Sequence, residues 1–130
     1  MWPQSVEMIL ARQLASYLSM PIFLVNPAGD LLFYNPAAEQ LLGMRFEETG
    51  QMTADEWSTV FDPIDTDGSP LPPDSLPLMI TLTKQKPAHR VMTIRGKDGV
   101  ARTINVTALP LTGTSDRFVG AMAIFWERGA

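Results

Sequence analysis

The chain contains no cysteine. Disulfides, thiolate metal sites, iron–sulfur clusters, cysteine nucleophiles and cysteine photoadducts are therefore excluded, and the composition suits a reducing compartment such as the cytoplasm. Charge is also scarce. Asp, Glu, Lys and Arg make up 18% of the 130 residues, the net charge is −4, and like charges do not cluster. No basic field exists to hold a phosphate backbone or an anionic membrane, so nucleic acid is not expected as a partner. The longest apolar candidate, MILARQLASYLSMPIFLV, is broken by Arg12, Gln13 and Pro21 and preceded by Glu7. It reads as neither a signal peptide nor a membrane span. Histidine occurs once, at His89, and a lone imidazole is weak evidence for a metal or haem site. No serine stands in a nucleophile elbow and no Gly-rich phosphate loop occurs.

What is present is a globular composition, 45% hydrophobic, at a length that suits one domain with a real core. From Ser5 to Ser19, Val6, Ile9, Leu10, Leu14, Tyr17 and Leu18 recur at helical spacing, flanked by Met8, Ala11 and Ala15. Ser5 is the expected N-cap and Pro21 the terminator. IFLV (22–25) and LLFY (31–34) read as strands joined by a hairpin in which Pro27 presets a type I turn and Gly29 takes the left-handed position. Asn35 is the next N-cap, Pro36 suits the first helical position, and Gly43 stops the helix.

Short helical pieces are expected around Arg45 to Glu48 and Ala54 to Val60, and a longer helix from about Asp74 to Lys84 with Leu78, Met79 and Leu82 as its apolar face. Three strands follow, His89 to Arg95, Arg102 to Leu111 and Phe118 to Trp126, joined by a turn at Gly96-Lys97-Asp98-Gly99 and a longer polar one. The resulting class is α+β, a single antiparallel sheet from an early pair and a late trio of strands, with helices folded over one face. FVGAMAIFW does not alternate, so both faces of that strand are expected to be covered.

The order and spacing of PIFLVNPAGDLLFYNPAAEQLLG, DTDGSPLPPDSLPL, KDGVARTINVTALPL and FVGAMAIFWE resemble the PAS domain family, over about Met20 to Glu127. The resemblance implies a bacterial sensory module in signal transduction: a five-stranded antiparallel sheet whose short helices cup a ligand cavity. It divides the chain into an N-terminal cap or dimerisation helix (1–20), the sensory domain (21–127) and a short tail (128–130). It also makes DTDGSPLPPDSLPL an ordered lead into the long helix, which agrees with prolines that lower the entropy lost on ordering. A PxxP recognition peptide and a calcium loop are weaker readings, because no arginine adjoins the first and Leu76 stands where the second needs a glutamate.

Strand alternation with the family's pattern directs Phe23, Val25, Leu31 and Phe33 toward the cavity from the first hairpin. From the later strands it directs Met92, Ile94, Ile104, Val106, Ala108, Phe118, Met122 and Ile124 there, and the long helix that closes the cavity adds Leu78, Met79 and Leu82 to the expected ligand-binding residues. Flavin-binding members carry amide side chains at positions that here look like Ile94, Ile104 and Met122, so flavin is disfavoured. Haem-binding members carry a histidine on the long helix, where this chain has none. The implied ligand is a small hydrophobic or fatty-acid-like molecule, with Tyr34, Trp57 and His89 as polar handles, or none at all.

On the opposite face, Val119, Ala121 and Ala123 are expected beside Thr103, Asn105 and Thr107. The N-terminal helix packs over its own sheet or crosses to a second copy, and Val6, Ile9, Leu10, Leu14, Tyr17 and Leu18 are the expected interface of a homodimer. The family's Asp-Ile-Thr-like exit signal is here Glu127-Arg128-Gly129, of which only the acid is kept. The reading is non-catalytic: ligand or dimer geometry acts on an effector such as a histidine kinase, phosphatase or cyclase of a two-component system. The alternatives are a ligand-free dimerisation or protein-interaction module and a small cone-fold isomerase or dehydratase with Asp30 as base. The last lacks a pocket that joins two acids, or an acid and a histidine.

Overall fold

The computed structural model describes residues 6–96 and 98–128. The expected Ser5 cap, Lys97 within its turn, and Gly129 and Ala130 lie outside the described residues. The chain order is α1 (Val6–Tyr17), β1 (Ile22–Val25), β2 (Leu31–Tyr34), α2 (Pro36–Leu42), α3 (Phe46–Thr49), α4 (Ala54–Val60), a 3₁₀ turn (Pro73–Ser75), α5 (Pro77–Lys84), β3 (Ala88–Arg95), β4 (Ala101–Thr112) and β5 (Phe118–Glu127). The strands form one antiparallel sheet in the order β2-β1-β5-β4-β3. The early pair and the late trio meet at β1 and β5, so the last strand lies at the centre.

Local chemistry sets the elements as expected. Gly29 takes φ +94° in the first turn, and its amide donates to the Asn26 carbonyl at 2.9 Å. Thr53 and Glu56 form a reciprocal capping box on α4. The long helix starts at Pro77, not near Asp74. Leu76 is held extended at ψ 140° before the proline, so residues 73–75 form a separate 3₁₀ turn.

The proline-rich segment is ordered and protects a sheet edge. Ile64 exchanges two hydrogen bonds of 2.8 Å with Thr93 of β3, and Arg90 reaches Asp65 at 3.3 Å. At the other edge, Met52 bridges Leu31 of β2. Both edges thus receive a short partner from the helical insertion, which masks the free backbone groups an open edge would present.

Two apolar clusters lie on opposite sides of the sheet. The larger gathers Phe23, Val25, Leu31 and Tyr34 with Met92, Ile94, Ile104, Val106 and Ala108 under the helical insertion. The smaller joins Met8 and Ala15 of α1 to Ile22 and Leu24, with Phe33, Met122 and Ile124 packed against it. Six expected placements are therefore corrected. Phe33 lies on the α1 side, because the register shifts between Leu24 and Val25, so that Leu31 and Tyr34, three residues apart, both reach the inner cluster. The Arg12 guanidinium caps the Phe33 ring at 4.6 Å.

Met122 and Ile124 also lie on the α1 side. Ala123 pairs with Phe23 and with Ala108, and Phe125 with Val106. Directly paired residues share a face, so it is Ala121, Ala123 and Phe125 that enter the inner cluster. Ala121 and Ala123, expected outside, are inside. Phe118 sits at an irregular pairing with Thr112 at the strand's start and belongs to neither cluster.

Helix α1 lies on the outer side of the sheet by its narrow flank. Met8 and Ala15 are buried, while Val6, Ile9, Leu10, Leu14, Tyr17 and Leu18 are 42–78% exposed. Close approach is possible because Gly120, at φ +146°, has no Cβ; one built there would come within 2.7 Å of the Met8 methyl. Glu7 anchors the start of the helix by bonding Arg117 at 3.2 Å and the Thr114 amide at 3.4 Å. Its own backbone amide, the Thr114 amide and Arg117 together hold its carboxyl below the usual range.

Candidate functional site

The inner face is concave and its helical cover leaves a cavity of about 60 Å³. Its floor is Phe23, Met92, Ile94, Ile104 and Val106 with Ala123 and Phe125; its walls are Leu42 of α2, Trp57, Ser58 and Phe61 around α4, Pro63, and Leu76, Pro77 and Leu78 at the start of α5. The space exists because small side chains stand at the middle of the central strand. Had Met122 and Ile124 pointed inward, they would have filled it.

Of the sequence-derived candidates, Phe23, Trp57, Leu78, Met92, Ile94, Ile104 and Val106 line the cavity. Val25, Leu31 and Tyr34 belong to the surrounding core, and Met79 and Leu82 pack against its edge. Phe33, Met122 and Ile124 are on the far side of the sheet. Of the positions compared with flavin-binding amides, Ile94 and Ile104 are at the cavity and Met122 is not.

The three expected polar handles are committed elsewhere. The Tyr34 hydroxyl donates to the Met44 carbonyl at 3.1 Å and meets Thr49 Oγ1 at 3.3 Å; burial pushes its pKa up, so it stays neutral. Trp57 Nε1 donates to the Gly29 carbonyl at 2.7 Å, which ties α4 to the first hairpin. His89 is exposed, with Nδ1 2.9 Å from Thr107 Oγ1 and its ring 6.5 Å from that of Trp126. The polar group that does line the cavity is Ser58, which a sequence pattern of apolar residues gave no reason to single out.

A second feature connects the cavity wall to α1. Asn35 is fully buried. Its Oδ1 accepts from the Ile22 amide at 3.0 Å and the Ala38 amide at 3.1 Å, so it caps α2 and fixes the start of β1. Its Nδ2 donates to the carbonyls of Ala15 at 2.9 Å and Met20 at 2.8 Å, with Leu18 at 3.4 Å. One amide thus holds the end of α1, the edge of β1 and the helix that carries Leu42 to the cavity. The role as N-cap was legible; the grip on α1 was not.

No family model and no curated protein matches the sequence. Solved structures do match. The PAS domain of Bordetella pertussis BvgS superposes with a TM-score of 0.62 at 13% identity, covering 93% of this chain and 84% of that one. This chain has the PAS fold. A PAS domain from a two-component sensor histidine kinase gives a TM-score of 0.61 at 14% identity over 95% and 97% of the two chains. A light-oxygen-voltage protein of Rhodobacter sphaeroides gives 0.72 at 11% identity over 96% and 69%. The cavity described above is thus the space between a PAS sheet and its helical insertion, and α1 is an additional helix ahead of the PAS core. No helix among the described residues is long and apolar enough to cross a membrane.

Proposed function

We propose that this PAS domain is a non-catalytic sensory module of bacterial, cytoplasmic signal transduction that responds to a small ligand in the inner cavity and transmits through α1. The observation that carries the reading is the cavity, an apolar space left open by Ala123 on the central strand and walled by α2, α4 and the approach to α5. None of its lining residues is an acid, a base or a histidine, which supports binding and not proton-transfer chemistry. Its size and the lack of an amide on Ile94 or Ile104 do not suit flavin, and α5 carries no histidine to ligate haem. A fatty acid has no cation at the cavity to receive its head group.

Occupancy displaces Leu42 and Trp57, and Asn35 carries the movement of α2 to the end of α1. The exposed stripe of α1 pairs with a second copy, which buries surface that a monomer leaves in water. The effector is a histidine kinase, phosphatase or cyclase; the structural likeness to a sensor-kinase PAS domain supports the first.

The test combines extraction and mass analysis of molecules that co-purify with the wild-type chain and with Ala123→Met. A small apolar compound recovered from the wild type and missing from a folded Ala123→Met variant is the expected result. Recovery of no compound from any preparation, with an unchanged dimer, would instead identify a ligand-free interaction module.

A further inference from the structure

The cavity has a single polar side chain with hydrogen-bonding capacity to spare. Ser58 is only 2% exposed and lines the space. Its hydroxyl is bonded to the Asp55 carbonyl, three residues back, at 3.5 Å, well beyond the about 2.7–2.8 Å usual for such a bond. Its lone pairs and a weakly held proton therefore stand at a wall otherwise made of carbon. Neither Trp57 Nε1 nor the Tyr34 hydroxyl competes for a ligand, since both are bound to backbone carbonyls.

We propose that the site takes a compact, uncharged molecule bearing one hydroxyl or carbonyl group, which Ser58 receives; this rests on the reading of the cavity as the ligand site. Size sets the first limit. A water occupies about 15 Å³ of such space, so a cavity of about 60 Å³ admits a molecule of about four heavy atoms. Charge sets the second, because no lining residue is ionisable and a buried carboxylate or ammonium would lose its hydration without a partner. Ser58 sets the third. A hydroxyl gives or accepts a hydrogen bond, so it matches either an alcohol or a carbonyl and discriminates against the hydrocarbon of equal shape.

Acetone, isobutene and acetate test this, titrated into the wild-type chain and Ser58→Ala and followed by amide chemical shifts. The three share a planar shape of about four heavy atoms and differ in the carbonyl, the hydrocarbon and the charge. Acetone is expected to bind the wild type and to weaken at least about tenfold in Ser58→Ala, while isobutene changes by less than about twofold. The isobutene arm also reports that the variant cavity remains folded. Equal acetone affinity in the two proteins, with isobutene still bound, would overturn the assignment of Ser58 and leave the ligand site standing. Acetate binding more tightly than acetone would overturn the uncharged class. Failure of all three probes in both proteins would overturn the ligand site and this inference together.

Discussion

Replacing Asn35 by alanine tests the link between the cavity wall and α1. The substitution removes the acceptor of two buried amides, those of Ile22 and Ala38, and the donor to the carbonyls of Ala15 and Met20. Loss of a helix cap costs about 0.5–2 kcal/mol, and an orphaned buried amide about 1–3 kcal/mol. Ala15 keeps the Leu18 amide as a partner, so its carbonyl adds little. The sum is about 1.5–5 kcal/mol, a fall in melting temperature on the order of 10 °C. Asn35→Ser retains an oxygen able to cap α2 but cannot span to Ala15 and Met20, so it is expected to recover about 1 kcal/mol relative to alanine. Chemical denaturation measures the stability, and amide hydrogen exchange reads α1 separately. Faster exchange in α1 is expected in both variants, including the one whose cap is restored. If α1 exchange is unchanged while global stability falls, Asn35 is a cap and nothing more, and the proposed route to the helix is wrong.

Leu10→Glu with Leu14→Glu places charge on the exposed stripe of α1 without touching Met8 or Ala15; sedimentation should show monomers, with a melting temperature unchanged except for the contribution of the lost dimer. Three carboxyls are held below their usual range: Glu7 by its own amide, then Thr114 and Arg117; Asp67 by the Ser69 hydroxyl and amide; and Asp98 by Arg102, then the Val100 amide. A depressed folded-state pKa gives stability that is present above the unfolded value and lost as pH falls through the folded one. Thermal scans below about pH 4.5 should therefore show decreasing stability, with a shallower decline in Glu7→Gln; an identical slope in that variant would remove Glu7 from the account.

The sequence alone determined most elements, because their signals are local. Asn35-Pro36 opens α2 and Gly43 closes it whatever lies nearby, and Pro27 with Gly29 turns the first hairpin. The ordered character of the proline-rich wall was equally legible, since restricted φ angles lower the entropy of the unfolded chain. Strand faces were legible where polar and apolar residues alternate, as in β4. They were not legible in FVGAMAIFW, which is apolar on both faces; only pairing with Phe23 and Ala108 decides that Ala123 looks inward and Met122 outward. The bulge that turns Phe33 away leaves no mark in LLFY. Tertiary structure likewise decided which polar groups are free. Tyr34 and Trp57 have the right chemistry to meet a ligand but spend it on the carbonyls of Met44 and Gly29, contacts formed only after distant segments pack, whereas Ser58 is left with an undemanding bond inside the cavity.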